Sequence, residues 1–129
     1  MYKAISSLEP DAADKDFFEQ LRRQLNQEIS SYVCESHPEA IGIPLSSDQI
    51  RGDLDLMRVC LVEPYWEEAN LCITTGVAVK RMCVTMAEEE GYVLVFDPIG
   101  EEYHLAWRGE NGLGSFGIRG DGVGCFLAR

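Results

Sequence analysis

Five cysteines (Cys34, Cys60, Cys72, Cys83, Cys125) and two histidines (His37, His104) are the side chains here best suited to nucleophilic, redox or metal chemistry. A cysteine nucleophile needs a thiol within hydrogen-bond reach of an imidazole, so the candidates are any of the five thiols with either histidine. Their neighbours point to ordinary roles. Cys60 and Cys72 sit in apolar strand-like runs and Cys83 on the apolar stripe of a helical pattern, where free cysteine behaves as a small hydrophobe. His104, between Glu102 and Arg108 on the polar side of an alternating strand, reads as a solvated or paired imidazole. Cysteine spacings of 26, 12, 11 and 42 fit neither a disulfide framework nor a CxxC metal site, and an odd count points to reduced thiols in cytosol. The expectation is no catalytic residue, no cofactor and no metal.

Two short motifs fail on context. Gly112-Leu113-Gly114-Ser115-Phe116-Gly117 matches the GxGxxG pattern that cradles a pyrophosphate at a helix N-terminus. Only 12 residues follow it, too few for the helix, the second strand and the ribose-binding acid that the pattern needs, so it reads as a glycine-rich turn. Arg-Gly-Asp occurs at residues 51–53 and 119–121, but an adhesive role requires an extracellular loop, and nothing at the N-terminus reads as a signal peptide.

The charged residues say more. Twenty-two acidic residues face 11 Lys plus Arg, for a net charge of −11, which repels nucleic acid and anionic lipid and favours encounter with a basic protein. Acids cluster at Glu67-Glu68, at Glu88-Glu89-Glu90 and at Asp97, Glu101 and Glu102. If Glu88 to Glu90 close a helix, they face the negative end of its dipole at a cost on the order of a few tenths of a kcal/mol each, as a patch kept for a basic partner would. Tyr65, Trp66 and Trp107 are the aromatic anchors such a contact would use.

These side chains must be positioned by one domain, because 129 residues match the commonest domain size and 46% hydrophobic content can build a core. Residues 2–8 suit a short strand. Pro10 and Asp11 then open a helix whose Phe17, Phe18, Leu21, Leu25, Ile29, Tyr32 and Val33 recur at spacings of three and four, ending near residues 34–36 before Pro38. Residues 37–47 read as loop, 47–49 as a possible helical turn, 56–62 as a strand, 64–70 as a connection and 71–74 as a second strand pairing with it. Val79, Met82, Cys83, Met86 and Ala87 follow the helical period, so a second helix is expected over 77–90, ended by Gly91.

Residues 92–96 read as a covered strand, Asp97-Pro98-Ile99-Gly100 as a type I turn, and the following strand alternates Tyr103, Leu105 and Trp107 against Glu102, His104, Ala106 and Arg108. The tail from Gly109 holds seven of twelve glycines, with tight turns at 111–112 and 121–122 and a last apolar run at 125–127. The expected fold is therefore α+β: a ferredoxin-like βαββαβ or related two-layer sheet with two helices, plus a Gly-rich C-terminal hairpin.

Met86-Ala87-Glu88-Glu89-Glu90-Gly91-Tyr92-Val93-Leu94-Val95-Phe96-Asp97-Pro98, taken as a helix ending in glycine, an apolar strand and Asp-Pro, resembles a segment of small bacterial immunity proteins found beside secreted toxins. The resemblance covers about a tenth of the chain and carries over no binding residue. It implies a cytoplasmic inhibitor acting by complex formation with a toxin. The first expectation is thus a non-enzymatic binding protein for a basic partner. The alternatives are a small-molecule-binding domain or small enzyme with a pocket near 63–70 and 109–124, and a homodimeric interaction domain with buried sheet edges.

Overall fold

A computed structural model describes residues 12–32, 47–74 and 76–129. In chain order the elements are α1 (Ala12–Ser31), α2 (Ser47–Cys60), β1 (Leu61–Thr74), β2 (Val77–Glu89), β3 (Tyr92–Asp97), β4 (Glu102–Gly109), β5 (Gly112–Gly120) and α3 (Gly122–Leu127). The five strands form an antiparallel meander that closes on itself: β1 runs parallel to β5, with Ala69 opposite Leu113 and Asn70 opposite Gly114. The backbone N–H of Cys72 donates to Ser115 Oγ at 2.7 Å and extends that seam. This closed barrel with three helices replaces the ferredoxin-like open two-layer sheet expected from the sequence.

Two apolar clusters explain the architecture. Ala69, Leu71, Cys83, Val93, Val95, Ala106 and Leu113 come from all five strands and from no described helix, so they fill the barrel interior. Five strands enclose a narrow space, and alanine, valine and cysteine at most of these positions suit it. The alternate residues Val84, Met86, Leu94, Tyr103 and Leu105 face outward and are covered by Phe18, Leu21, Leu25 and Ile29 of α1, Ile50, Leu54 and Met57 of α2, and Val123, Cys125 and Phe126 of α3. One side of the barrel wall is therefore buried on both faces.

Several local expectations change accordingly. Residues 56–60 belong to α2, not to a strand over 56–62: Ile50, Leu54 and Met57 supply the buried stripe, while Leu56 and Val59 lie on the outer side. The expected connection 64–70 lies inside β1, where buried Pro64 falls in the register irregularity between Leu61 and Tyr65 that tolerates a missing N–H. The expected helix 77–90 is the strand β2. Its bulge sets Met86 and Ala87 together toward the helices and restores alternation one residue later, so that Glu88, opposite Val93, faces inward.

At the C-terminus β4 and β5 form the expected hairpin, but the second turn and final apolar run become α3. Asp121 caps this helix through Gly124 N at 2.5 Å, while Glu28 of α1 accepts from Val123 N at 2.7 Å and Gly122 N at 3.3 Å. Three N–H groups that begin a helix without partners are thereby satisfied. A side chain at Gly122 would meet Leu25 Cδ1 at 2.5 Å, so glycine lets α3 close onto α1. The expected strand 2–8, the capping Asp11 and the loop 37–46 lie outside the described residues. The helix α1, the strand 92–96, a turn after it and a strand at 102–109 form where the sequence puts them, although the expected helix end near 34–36 lies outside the described residues and the expected polar face of β4 is buried at His104.

The interior sets a clear test. Ala106→Leu, at a fully buried lumen position, is expected to cost about 1–3 kcal/mol by overpacking. Val59→Ala, at an 81% exposed site on α2, should stay within about 0.5 kcal/mol. Urea denaturation of the two variants beside the parent reads the difference, and equal costs would contradict a filled lumen.

Candidate partner-binding surface

The barrel wall carries two polar clusters on its inward face. Arg108, at the end of β4, donates to both oxygens of Glu67 on β1 and to Glu88 on β2 at 2.6 Å. The Tyr65 hydroxyl donates to Glu88 at 3.0 Å and Thr85 Oγ1 to Glu67 at 2.9 Å. Burial pushes the Glu67 carboxyl up, but the hydrogen bonds from Arg108 and Thr85 and the charge of Arg108 outweigh it, and its pKa lies below the usual carboxylate range. The bond to Glu67 raises the Arg108 guanidinium further, and burial together with Glu88 raises the Tyr65 phenol. These groups form a three-strand clamp in which one guanidinium holds two carboxylates.

The second cluster lies toward the β3–β4 turn. Asp97 is fully buried and accepts from Arg81 Nη1 at 2.5 Å and from Ile99 N at 3.0 Å. His104 is fully buried on the same face, and neither ring nitrogen has a hydrogen-bond partner; Nε2 approaches Glu102 Oε2 at 3.5 Å without forming a bond. This corrects its assignment to a polar, solvated strand face: the face that alternates with Tyr103, Leu105 and Trp107 is the barrel interior. Burial pushes the imidazole pKa down, Glu102 and Asp97 pull it up, Arg119 and Arg81 push it down, and the net effect is downward.

Thiol chemistry is suppressed at the buried cysteines. Burial, with Asp97 nearby, pushes the Cys83 thiol up to about 12, and burial does the same for Cys125, also to about 12. Cys60 is raised by burial and by Glu89. A thiol so far above neutrality is not the thiolate a nucleophile requires. Cys34 and His37 lie outside the described residues. Among the described residues no three His, Cys, Asp or Glu side chains gather as a metal site, and no helix is long and apolar enough to cross a membrane.

The acids and aromatics singled out from the sequence thus meet different fates. Tyr65, Glu67 and Glu88 come together, but around Arg108. Glu68 approaches Lys80 at 3.8 Å, Glu89 pairs with Arg129 at 3.0 Å, Asp97 with Arg81, and Glu102 with Arg119 at 3.6 Å. Trp66 packs on Phe17 and Phe18, with ring centroids 6.1 and 5.4 Å away. Glu90 and Glu101 make no ion pair among the described residues; both occupy left-handed turn positions, with φ of 48° and 54°. The eight acids do not form one patch. Arg81, Arg108 and Arg129 pair with Asp97, with Glu67 and Glu88, and with Glu89 across at least 16 residues of sequence, so no local pattern announces the pairing. A groove of about 410 Å³ lined by Phe18, Arg22, Glu63 and Pro64 reaches the start of the expected pocket region 63–70.

Trp107 stands apart. It is 47% exposed on the outer face of β4, its ring set edge-on to Tyr92 at 5.1 Å and 82°. A side chain at Gly91 would meet the indole at 2.8 Å, so the indole lies directly over that glycine. Arg108 N donates to Gly91 O at 2.8 Å, which ties the β2–β3 turn to this end of β4. The flanking turns carry exposed Glu90 and Glu110, neither paired among the described residues. The arrangement is a half-exposed indole packed over Gly91 and against Tyr92, with unpaired carboxylates in the two adjoining turns, suited to packing an apolar or cationic side chain.

The buried imidazole gives a pH prediction. A folded-state pKa below the unfolded value of about 6.5 means that the unfolded chain binds the proton first. The stability contribution is therefore complete above about pH 6.5 and is lost as pH falls through the lower folded value. His104→Leu should flatten that part of the curve, where one proton accounts for at most about 1.4 kcal/mol per pH unit. Urea midpoints of parent and variant between pH 7.5 and 4.5 measure it, and parallel curves would refute the assignment.

No family model matches the chain, and neither does any curated protein or solved structure.

Proposed function

We propose that the chain is a non-enzymatic binding protein that recognises a basic protein partner through the surface centred on Trp107. The observation that carries this reading is the indole itself: half exposed, fixed over Gly91 and against Tyr92, and bordered by Glu90 and Glu110. A preorganised tryptophan loses little conformational freedom on binding, and such residues dominate interface energetics. The bordering carboxylates and the net charge of −11 favour a cationic surface opposite. The raised thiols at Cys83 and Cys125, the lowered imidazole at His104 and the engagement of the inward carboxylates by arginine support a role in contact over one in covalent chemistry. Inhibition of a bacterial toxin in the cytoplasm is a narrower form of this function that rests on the amino-acid resemblance of the segment 86–98 alone, because residues 86–89 are strand and not the helix that the resemblance assumed.

The test is capture from source-cell lysate on parent chain and Trp107→Ala in parallel, followed by binding kinetics of the recovered partner over a range of salt. Trp107→Ala is expected to weaken the complex by about 2 kcal/mol, near 30-fold. Glu90→Lys with Glu110→Lys should lower the association rate and its salt dependence. A partner held equally by the parent and by Trp107→Ala overturns the surface assignment, and association insensitive to salt overturns its electrostatic part.

A further inference from the structure

At the opposite end of the β3–β4 hairpin from Trp107, a groove of about 210 Å³ runs between α1 and the β3–β4 turn. Its apolar walls are Phe17, Phe96 and Pro98, with Phe17 and Phe96 edge to face at 6.3 Å and 61°. Its polar groups are Gln20 and Gln24, one helical turn apart and so on the same side of α1, and Glu101 across from them. None of the three has a hydrogen-bond or ionic partner among the described residues, whereas Glu67, Glu88, Glu89, Asp97 and Glu102 each meet an arginine. Glu101 is also held at φ 54°, a conformation that non-glycine residues seldom adopt.

We infer that this groove is a binding slot for an arginine side chain presented by another molecule. The chemistry of the lining matches both halves of that side chain. Its aliphatic stem would lie along Pro98 and the phenylalanine rings, and its guanidinium is attracted to an aromatic face. The planar head can donate two parallel hydrogen bonds to the Glu101 carboxylate, and its remaining N–H groups can reach the Gln20 and Gln24 carbonyl oxygens. A lysine ammonium offers three donors on a point charge and cannot make the paired contact, so arginine is preferred. The slot shares with the proposed function the idea of a basic partner, but it lies at the other end of the hairpin, so the two assignments stand or fall separately.

The experiment is a titration of the 15N-labelled full chain at fixed ionic strength with Nα-acetyl-arginine methylamide. The lysine and norleucine analogues serve as controls. The expected result is saturable shift changes at the Gln20 and Gln24 side-chain amides and at Ile99, Gly100 and Glu101, with lysine at least threefold weaker and norleucine silent. Glu101→Gln should weaken arginine binding at least fivefold. Gln24→Lys, which places a competing cation in the slot, should abolish it, and Trp107→Ala should leave it unchanged. The spectra report whether each variant is folded. Shifts that fail to saturate or spread evenly over the acidic surface, equal affinity for the lysine probe, or undiminished binding to Glu101→Gln would each overturn the inference.

Discussion

Closure of the barrel between β1 and β5 is the constraint on which the other features depend. The parallel contact at Ala69–Leu113 and Asn70–Gly114 removes two sheet edges that would otherwise be open to pairing with other chains. It also converts one face of a five-stranded meander into a lumen. A lumen this narrow admits small side chains, and Ala69, Ala106, Cys83, Val93 and Val95 fill its middle. Longer polar residues on the inward face are displaced toward places where their heads can meet a counter-charge, which is why Arg108 and Arg81 each lie against carboxylates.

The outward face of the same wall is closed by helices, and the lock is again charged. Arg129 pairs with Asp53 of α2 at 3.5 Å and with Glu89 of β2 at 3.0 Å, while its guanidinium lies 4.1 Å from the Phe126 ring centroid of α3. Glu28 joins α1 to the start of α3 from the other side. Its carboxyl is pushed up by burial and by Asp121 despite the two backbone N–H groups it accepts from. A chain with 22 acids thus uses a few arginines at junctions between elements, and among the described residues Glu90, Glu101 and Glu110 remain unpaired on turns.

How much of this was legible follows from which faces are covered. α1 has water on one side and core on the other, so its three-and-four spacing shows plainly, whereas β4 keeps an alternating sequence although Tyr103 to Ala106 are all buried, because Glu102, His104 and Arg108 are polar residues on the inward face. Residues 83–87 are all buried because helices cover one face and the lumen covers the other, so alternation vanishes. The bulge then lets Ala87 join Met86 on the helix side, which completes the helical spacing of Val79, Met82, Cys83, Met86 and Ala87. α2 misleads in the opposite direction: Leu56 and Val59 are exposed, and their apolar character hides the Ile50, Leu54, Met57 stripe. Barrel closure leaves no local mark, since it joins residues more than 40 apart. For the candidate surface, Trp107 was legible as an aromatic on an alternating strand, but its support by Gly91 and its separation from the other acids were not.

That separation changes what the acidic composition means. An acid paired with an arginine inside its own fold gains little from a basic partner, because the partner must displace a hydrogen-bonded counter-ion already in place. Glu67, Glu88 and Asp97 are in that position. Glu90, Glu101 and Glu110 are not; each stands on a turn, two of them in left-handed backbone conformations. Net charge draws a cationic partner from any direction, since the field at a distance sums over paired and unpaired acids alike. On the proposed reading a partner would be held after encounter by the few unpaired carboxylates beside apolar surface, and among the described residues these lie toward the two ends of the β3–β4 hairpin, near Trp107 and near Phe96.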